Sequence, residues 1–180
     1  MLGTVFHWLY CMNPIVLIIL FTGLTMVFAF VYQKNRRRIY CKPVIGLFLL
    51  IALTAIFAAT LLNRSERAEG LAPSRIPFAS YIKVMQGENP ELLRSCFMNV
   101  ALFYPAGLLG AVLLPRKWHS VWRILLIGLI FMLMSTGIEY AQYIFALGQP
   151  EVDDIIHNAL GAVIGGVCGS MITSTETGNS

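Results

Sequence analysis

The chain has 180 residues, 57% of them hydrophobic and 12% charged, with a mean hydropathy of +0.72. That balance excludes an ordinary soluble domain and points to a protein that crosses a membrane. The formal net charge of +4 therefore reads as a topology signal at span ends, and no nucleic-acid partner is expected.

Apolar runs of about 20 residues with few charges, enough to cross a hydrocarbon core, are predicted over residues 13–33, 43–62, 95–114, 121–147 and 152–172. The fold class is thus all-α, a polytopic bundle of five transmembrane helices. The first twelve residues lack the basic start and small-residue cleavage site of a signal peptide, so the first span is expected to be retained. The connection KNRRRIYCK carries five basic residues and PRKWHSVWR carries Arg116, Lys117 and Arg123, and neither holds an acid. Residues 63–94 balance five basic residues with Glu66, Glu69, Glu88 and Glu91. Basic residues favour the inner side, so the N-terminus is expected outside and the C-terminus inside. Trp8, Tyr10, Tyr32, Tyr40, Trp118 and Trp122 fall near span ends and read as interfacial belts.

The predicted organisation is two N-terminal scaffold helices over 1–62, an outer loop over 63–94, a three-helix core over 95–172 and a polar tail over 173–180. In the loop, GLAPSRIPFAS places two prolines around Arg75, and YIKVMQGENPELLR suggests a short interfacial helix broken at Gly87. The four cysteines are far apart, without the spacing of a metal site; Cys11 and Cys96 would both lie near the outer face, leaving a bridge or two free thiols as alternatives.

Charged side chains within a span are costly and usually face the bundle interior. Glu139 lies inside the fourth span, about 13 Å from the turn at Gly148 at 1.5 Å per residue, and Asn99 and Asn158 enter at similar levels on the third and fifth spans. Residues three and four apart share a helix face. Ser135, Glu139, Gln142 and Tyr143 form one stripe; Asp154, Asn158, Gly161, Gly165 and Gly169 form another; Asn99, Phe103, Gly107 and Gly110 form a third. Each glycine stripe is polar toward the outside and small toward the inside, which suits close helix packing within the chain or against a second copy. The candidate site therefore comprises Glu139 and Asp154 in catalytic or charge-anchoring roles, with Arg75, Asn99, Gln142, Asp153 and Asn158 in binding roles. Asp153 and Asp154 fit equally well as acids complementing a helix N-terminus, and no metal is assigned.

These residues resemble the VanZ-like membrane proteins. The resemblance runs from Pro77 to Gly166 and rests on RIPFAS, NVALFYPAGLL, IEYAQYIFALG and EVDDIIHNALGAVIGG. The family pattern of Pro-Phe, Asn before Pro-x-Gly, Glu-x-x-Gln and Asp-Asp-x-x-x-Asn-x-x-Gly falls on Pro77 and Phe78, on Asn99, Pro105 and Gly107, on Glu139 and Gln142, and on Asp153, Asp154, Asn158 and Gly161. Glu151 stands where an Asp is common, and the Arg often found just before it is absent, a part that would pass to Arg75 or Arg94. The resemblance implies a multi-pass protein of the bacterial inner membrane, linked to the cell envelope and to low-level tolerance of the glycopeptide teicoplanin. It implies no reaction. Two functions stay open: a factor that binds or modifies a lipid or lipid-linked envelope precursor, and a non-enzymatic scaffold whose acids form structural ion pairs.

Overall fold

A computed structural model describes residues 14–35, 41–62, 74, 76–87, 91–147 and 150–174. Among the described residues six α-helices run in the order α1 (Pro14–Asn35), α2 (Cys41–Phe57), α3 (Ala79–Met85), α4 (Glu91–Leu113), α5 (Ser120–Ile144) and α6 (Val152–Ser174). A π-helical turn, Ala58–Leu62, extends α2. Among the described residues there is no strand, only one isolated parallel bridge between Ser74 and Glu151.

Among the described residues four segments are long and apolar enough to cross a membrane: Lys42–Leu61, Glu91–Leu113, Ser120–Ile144 and Val152–Ser174. Helix α1 is helical over 22 residues, but the apolar segment described in it, Gly23–Tyr32, is shorter than a span. Helix starts follow local chemistry. Pro14 opens α1 and Pro43 sits in the first turn of α2, positions where a missing N–H removes no helical bond. The Nδ1 of His119 accepts the Val121 N–H and caps α5. Helix α4 begins at Glu91, four residues before the predicted third span, because Glu91 suits the positive end of a helix. It then runs through Pro105 without ending.

The core is the seam between α4 and α6, which run in parallel. A Cβ on Gly161, Gly165 or Gly169 would come within 3.0 Å of the backbone of Val100, Tyr104 or Leu108 respectively, and one on Gly107 would strike the Ala162 backbone. A four-residue step on one helix thus matches a four-residue step on the other, and only glycine permits the approach. Lipid tails are as apolar as leucine, so helix association rests on this van der Waals fit rather than on removal of surface from water. The glycine faces that the sequence offers to a second copy pack here against the chain's own backbone.

Helix α5 packs antiparallel to α6. Ser135 contacts Asn158, a Cβ on Gly128 would meet Val163, one on Gly166 would meet Ile127, and Ser120 contacts Ser174. Apolar packing around Ile56, Phe103, Ile127, Phe131 and Ile138 joins α2, α4 and α5. At the opposite end Tyr32, Ile45, Leu108, Val112 and Ile172 form a second cluster. Tyr32 departs from the predicted belt: it is buried, stacked on Phe28, and receives a hydrogen bond from Arg116. Trp118 and Trp122 are exposed as a belt requires. Trp8, Tyr10 and Tyr40 lie outside the described residues.

Candidate functional site

The polar residues of α4, α5 and α6 meet at one end of the bundle. Helix α5 ends at Ile144, so Glu139 lies five residues, about 8 Å, from the helix end, shallower than the distance to Gly148 implies. Its side chain is buried, and Oε2 accepts the Glu151 N–H at 2.9 Å. Extending the α5–α6 register one turn beyond Ser135 and Asn158 brings Glu139 level with Asp154. From α4, Asn99 Nδ2 donates to Asp154 Oδ1 at 2.6 Å. Asn158 Nδ2 donates to Ser135 Oγ at 2.9 Å. The structure therefore brings Glu139, Asn99, Asp154 and Asn158 into one interior cluster.

Gln142 is fully buried and reaches a different helix. Its Nε2 donates to the Thr60 carbonyl at 2.9 Å, an oxygen in the π-helical end of α2 where helix carbonyls lack intrahelical partners. The second helix, expected as scaffold, thus contributes to the site. Because a carbonyl only accepts, this bond fixes the amide orientation, and among the described residues Gln142 Oε1 is left buried without a hydrogen-bond partner. Asn158 Oδ1 is likewise buried and unpartnered. Tyr143, on the same predicted stripe, is exposed.

Asp153 faces another way. Its Oδ1 accepts the Phe78 N–H at 2.5 Å and its Oδ2 the Ser80 N–H at 2.9 Å, which caps the start of α3. Phe78 has a φ of 61°, a left-handed conformation uncommon for a bulky residue, and the two carboxylate bonds hold it there. His157 supports the same arrangement: Nδ1 bonds the Asp153 carbonyl at 2.5 Å and Nε2 meets the Tyr81 hydroxyl at 2.8 Å. Since the carbonyl only accepts, Nδ1 carries the proton, and in the neutral ring Nε2 accepts from the phenol. The rings stack with centroids 5.6 Å apart. Burial, followed by the proximity of Cys96 and Asp153, holds the Tyr81 phenol above its usual range. Cys96 is a free, buried thiol.

Ser74 is joined to this end through backbone bonds: its N–H donates to the Pro150 carbonyl at 3.0 Å, and the Val152 N–H donates to the Ser74 carbonyl at 3.1 Å. Arg75 and Cys11 lie outside the described residues. Arg94 is partly buried near the start of α4. Among the described residues no group of three or more His, Cys, Asp or Glu side chains is placed to hold a metal ion.

Sequence reasoning missed two contributors to the site and one buried cation at the opposite end of the bundle. Thr60 acts through its backbone, and Tyr81 belongs to a helix too short to show a period. Arg123, one of the basic residues of the third connection, is only 1% exposed, and its guanidinium donates to the Ala111 carbonyl in the last turn of α4. It serves the negative end of that helix.

A family model described as VanZ/LLP1 matches residues 15–173. The match takes in α1 and α2 as well as the part from Pro77 onward that carries the recognisable motifs. No curated protein and no solved structure matches the chain.

Proposed function

The chain belongs to the VanZ/LLP1 family, and from that premise we propose that it is a five-span protein of the bacterial inner membrane whose outer-leaflet polar cluster binds a lipid or lipid-linked envelope molecule. In this reading α1, 22 residues and about 33 Å long, is the fifth span, the N-terminus is outside and the C-terminus inside. The basic first and third connections support that orientation. Glutamate 139, here Glu139, and Asp154 anchor charge; Asn99, Gln142 and Asn158 orient the ligand; Arg75 acts from the loop. The link to teicoplanin tolerance belongs to the same proposal.

One observation carries it: Gln142 Oε1 is buried and has no hydrogen-bond partner among the described residues. An acceptor without a donor there costs free energy, and a ligand bearing hydroxyl or amide N–H groups would satisfy it. The test compares the wild type with Gln142→Leu and Glu139→Gln at equal abundance, reading lipid retention by native mass spectrometry and glycopeptide tolerance of cells. Loss of both with the fold retained is the expected result; unchanged retention and tolerance would remove the proposal.

A second reading, a non-enzymatic scaffold, is favoured by the bonds that close within the chain: Asn99 to Asp154, Asn158 to Ser135, Glu139 to Glu151 and Asp153 to α3. It expects the same substitutions to lower thermal stability in detergent without a separate functional loss.

A further inference from the structure

We infer that the basic end of the bundle is a docking site for the headgroups of anionic phospholipids, with Arg116 and Lys117 as the contacting cations and Arg123 as a buried charge behind them. The site lies opposite the Glu139 cluster and is independent of what that cluster binds. The connections at this end carry five basic residues over 34–42 and three over 115–123, while residues 175–180 hold one acid, Glu176. Pairing within the sequence therefore leaves most of this charge unmatched. The described carboxylates sit at or beside the starts of α4 and α6 and near the end of α5, at the far end of the bundle.

The fold gathers these cations. Tyr32, near the end of α1, is buried, accepts a hydrogen bond from the Arg116 guanidinium and has that group 5.8 Å from its ring centroid. Arg116 is exposed yet held by this double contact, so it has little side-chain freedom left to lose when a ligand arrives. Lys34 follows Tyr32 by two residues, and Lys42 precedes by about one turn Ile45, which packs in the same cluster as Tyr32. Both lysines are exposed, as is Lys117. A guanidinium and an ammonium side by side suit a phosphate diester, the first through paired N–H donors and the second as a point charge.

An orientation signal needs only exposed charge, whereas Arg123 is 1% exposed. Its guanidinium donates to the Ala111 carbonyl, its Nε has no hydrogen-bond partner among the described residues, and Tyr32 and Arg116 act on it electrostatically. Two like charges brought together, one of them out of water, repel because the interior screens little. An anion at Arg116 relieves that repulsion. Depth selects the source of the anion: Trp118 and Trp122, beside this cluster, are 42% and 68% exposed, and exposed indoles at a span end mark the level of the headgroups. A phosphate at that level belongs to lipid, and cations flanking a span favour anionic lipids.

The test titrates the full chain, in a non-ionic detergent, with phosphatidylglycerol or with phosphatidylcholine of the same acyl chains, and reads retained lipid by native mass spectrometry. Phosphatidylglycerol is expected to be retained at a roughly tenfold lower concentration, and Lys117→Gln, a change at an exposed side chain, should weaken that preference about fivefold, the effect of one basic residue near an anionic surface. Arg116→Gln should weaken it at least as much, and Glu139→Gln should leave it unchanged. Equal retention of the two lipids, or a preference that survives both Lys117→Gln and Arg116→Gln, overturns the inference. A preference lost on Glu139→Gln alone would place the lipid at the polar cluster instead. Displacement of phosphatidylglycerol by excess inorganic phosphate would make the occupant a free anion, and a preference seen only in Glu176→Gln would make it the chain's own tail; each of these three results also overturns the inference.

Discussion

The two ends of the α4–α6 seam are held by opposite means. Toward one end Gly161, Gly165 and Gly169 admit the backbone of the facing helix with no space to spare. Toward the other, carboxylates and amides separate the helices and join them through Asn99, Asp154 and their neighbours. The glycine end is defined by shape and tolerates nothing larger. The polar end is defined by partners and keeps two buried acceptors, Gln142 Oε1 and Asn158 Oδ1, that have no partner among the described residues. Shape sets the first, and hydrogen-bond partners set the second.

Substitutions at the glycine end should have the largest effect. Gly165→Leu is expected to abolish folding, seen as loss of the monodisperse peak on size exclusion in detergent. Gly107→Ala should destabilise by roughly 1 to 3 kcal/mol through overpacking, because the Ala162 backbone cannot move aside as a side chain could. At the polar end, Asp153→Ala strands two backbone N–H groups and should lower stability by roughly 1 to 3 kcal/mol for each group left unpaired, read by thermal denaturation. The smallest effect sharpens the contrast from outside the seam: a Cβ on Gly137 would meet nothing within 4 Å, so Gly137→Ala should be neutral or stabilise α5 by up to about 1 kcal/mol through helix propensity. A loss comparable to Gly107→Ala would show that backbone flexibility, rather than contact, sets glycine use in this chain.

The spans of α4, α5 and α6 were legible because long apolar runs with few charges favour a membrane helix, and the glycine stripes were legible because their four-residue step survives in the one-dimensional string. The convergence of Asn99, Glu139, Asp154 and Asn158 followed from the cost of burying them singly. What stayed hidden acts through backbone or through short elements. The partner of Glu139 is the Glu151 N–H, and the partner of Gln142 is the Thr60 carbonyl; neither leaves a mark on residue type. The seven residues of α3 are too few to display a period, so the attachment of Asp153 to Phe78 and Ser80 was not visible. Arg123 looked like its neighbours Arg116 and Lys117, since sequence does not report that the α4 terminus lies against it.

The claim on which the account depends is that polar side chains from separate spans are joined inside the bundle. A double-mutant cycle on Asn99→Ala and Asp154→Ala, with unfolding free energy measured in one detergent or bilayer system, tests it most directly because it isolates the bond between α4 and α6 from the other partners of each residue. The expected result is a coupling energy on the order of 1 kcal/mol, as interhelical hydrogen bonds in membranes give. Strict additivity of the two substitutions would contradict the account.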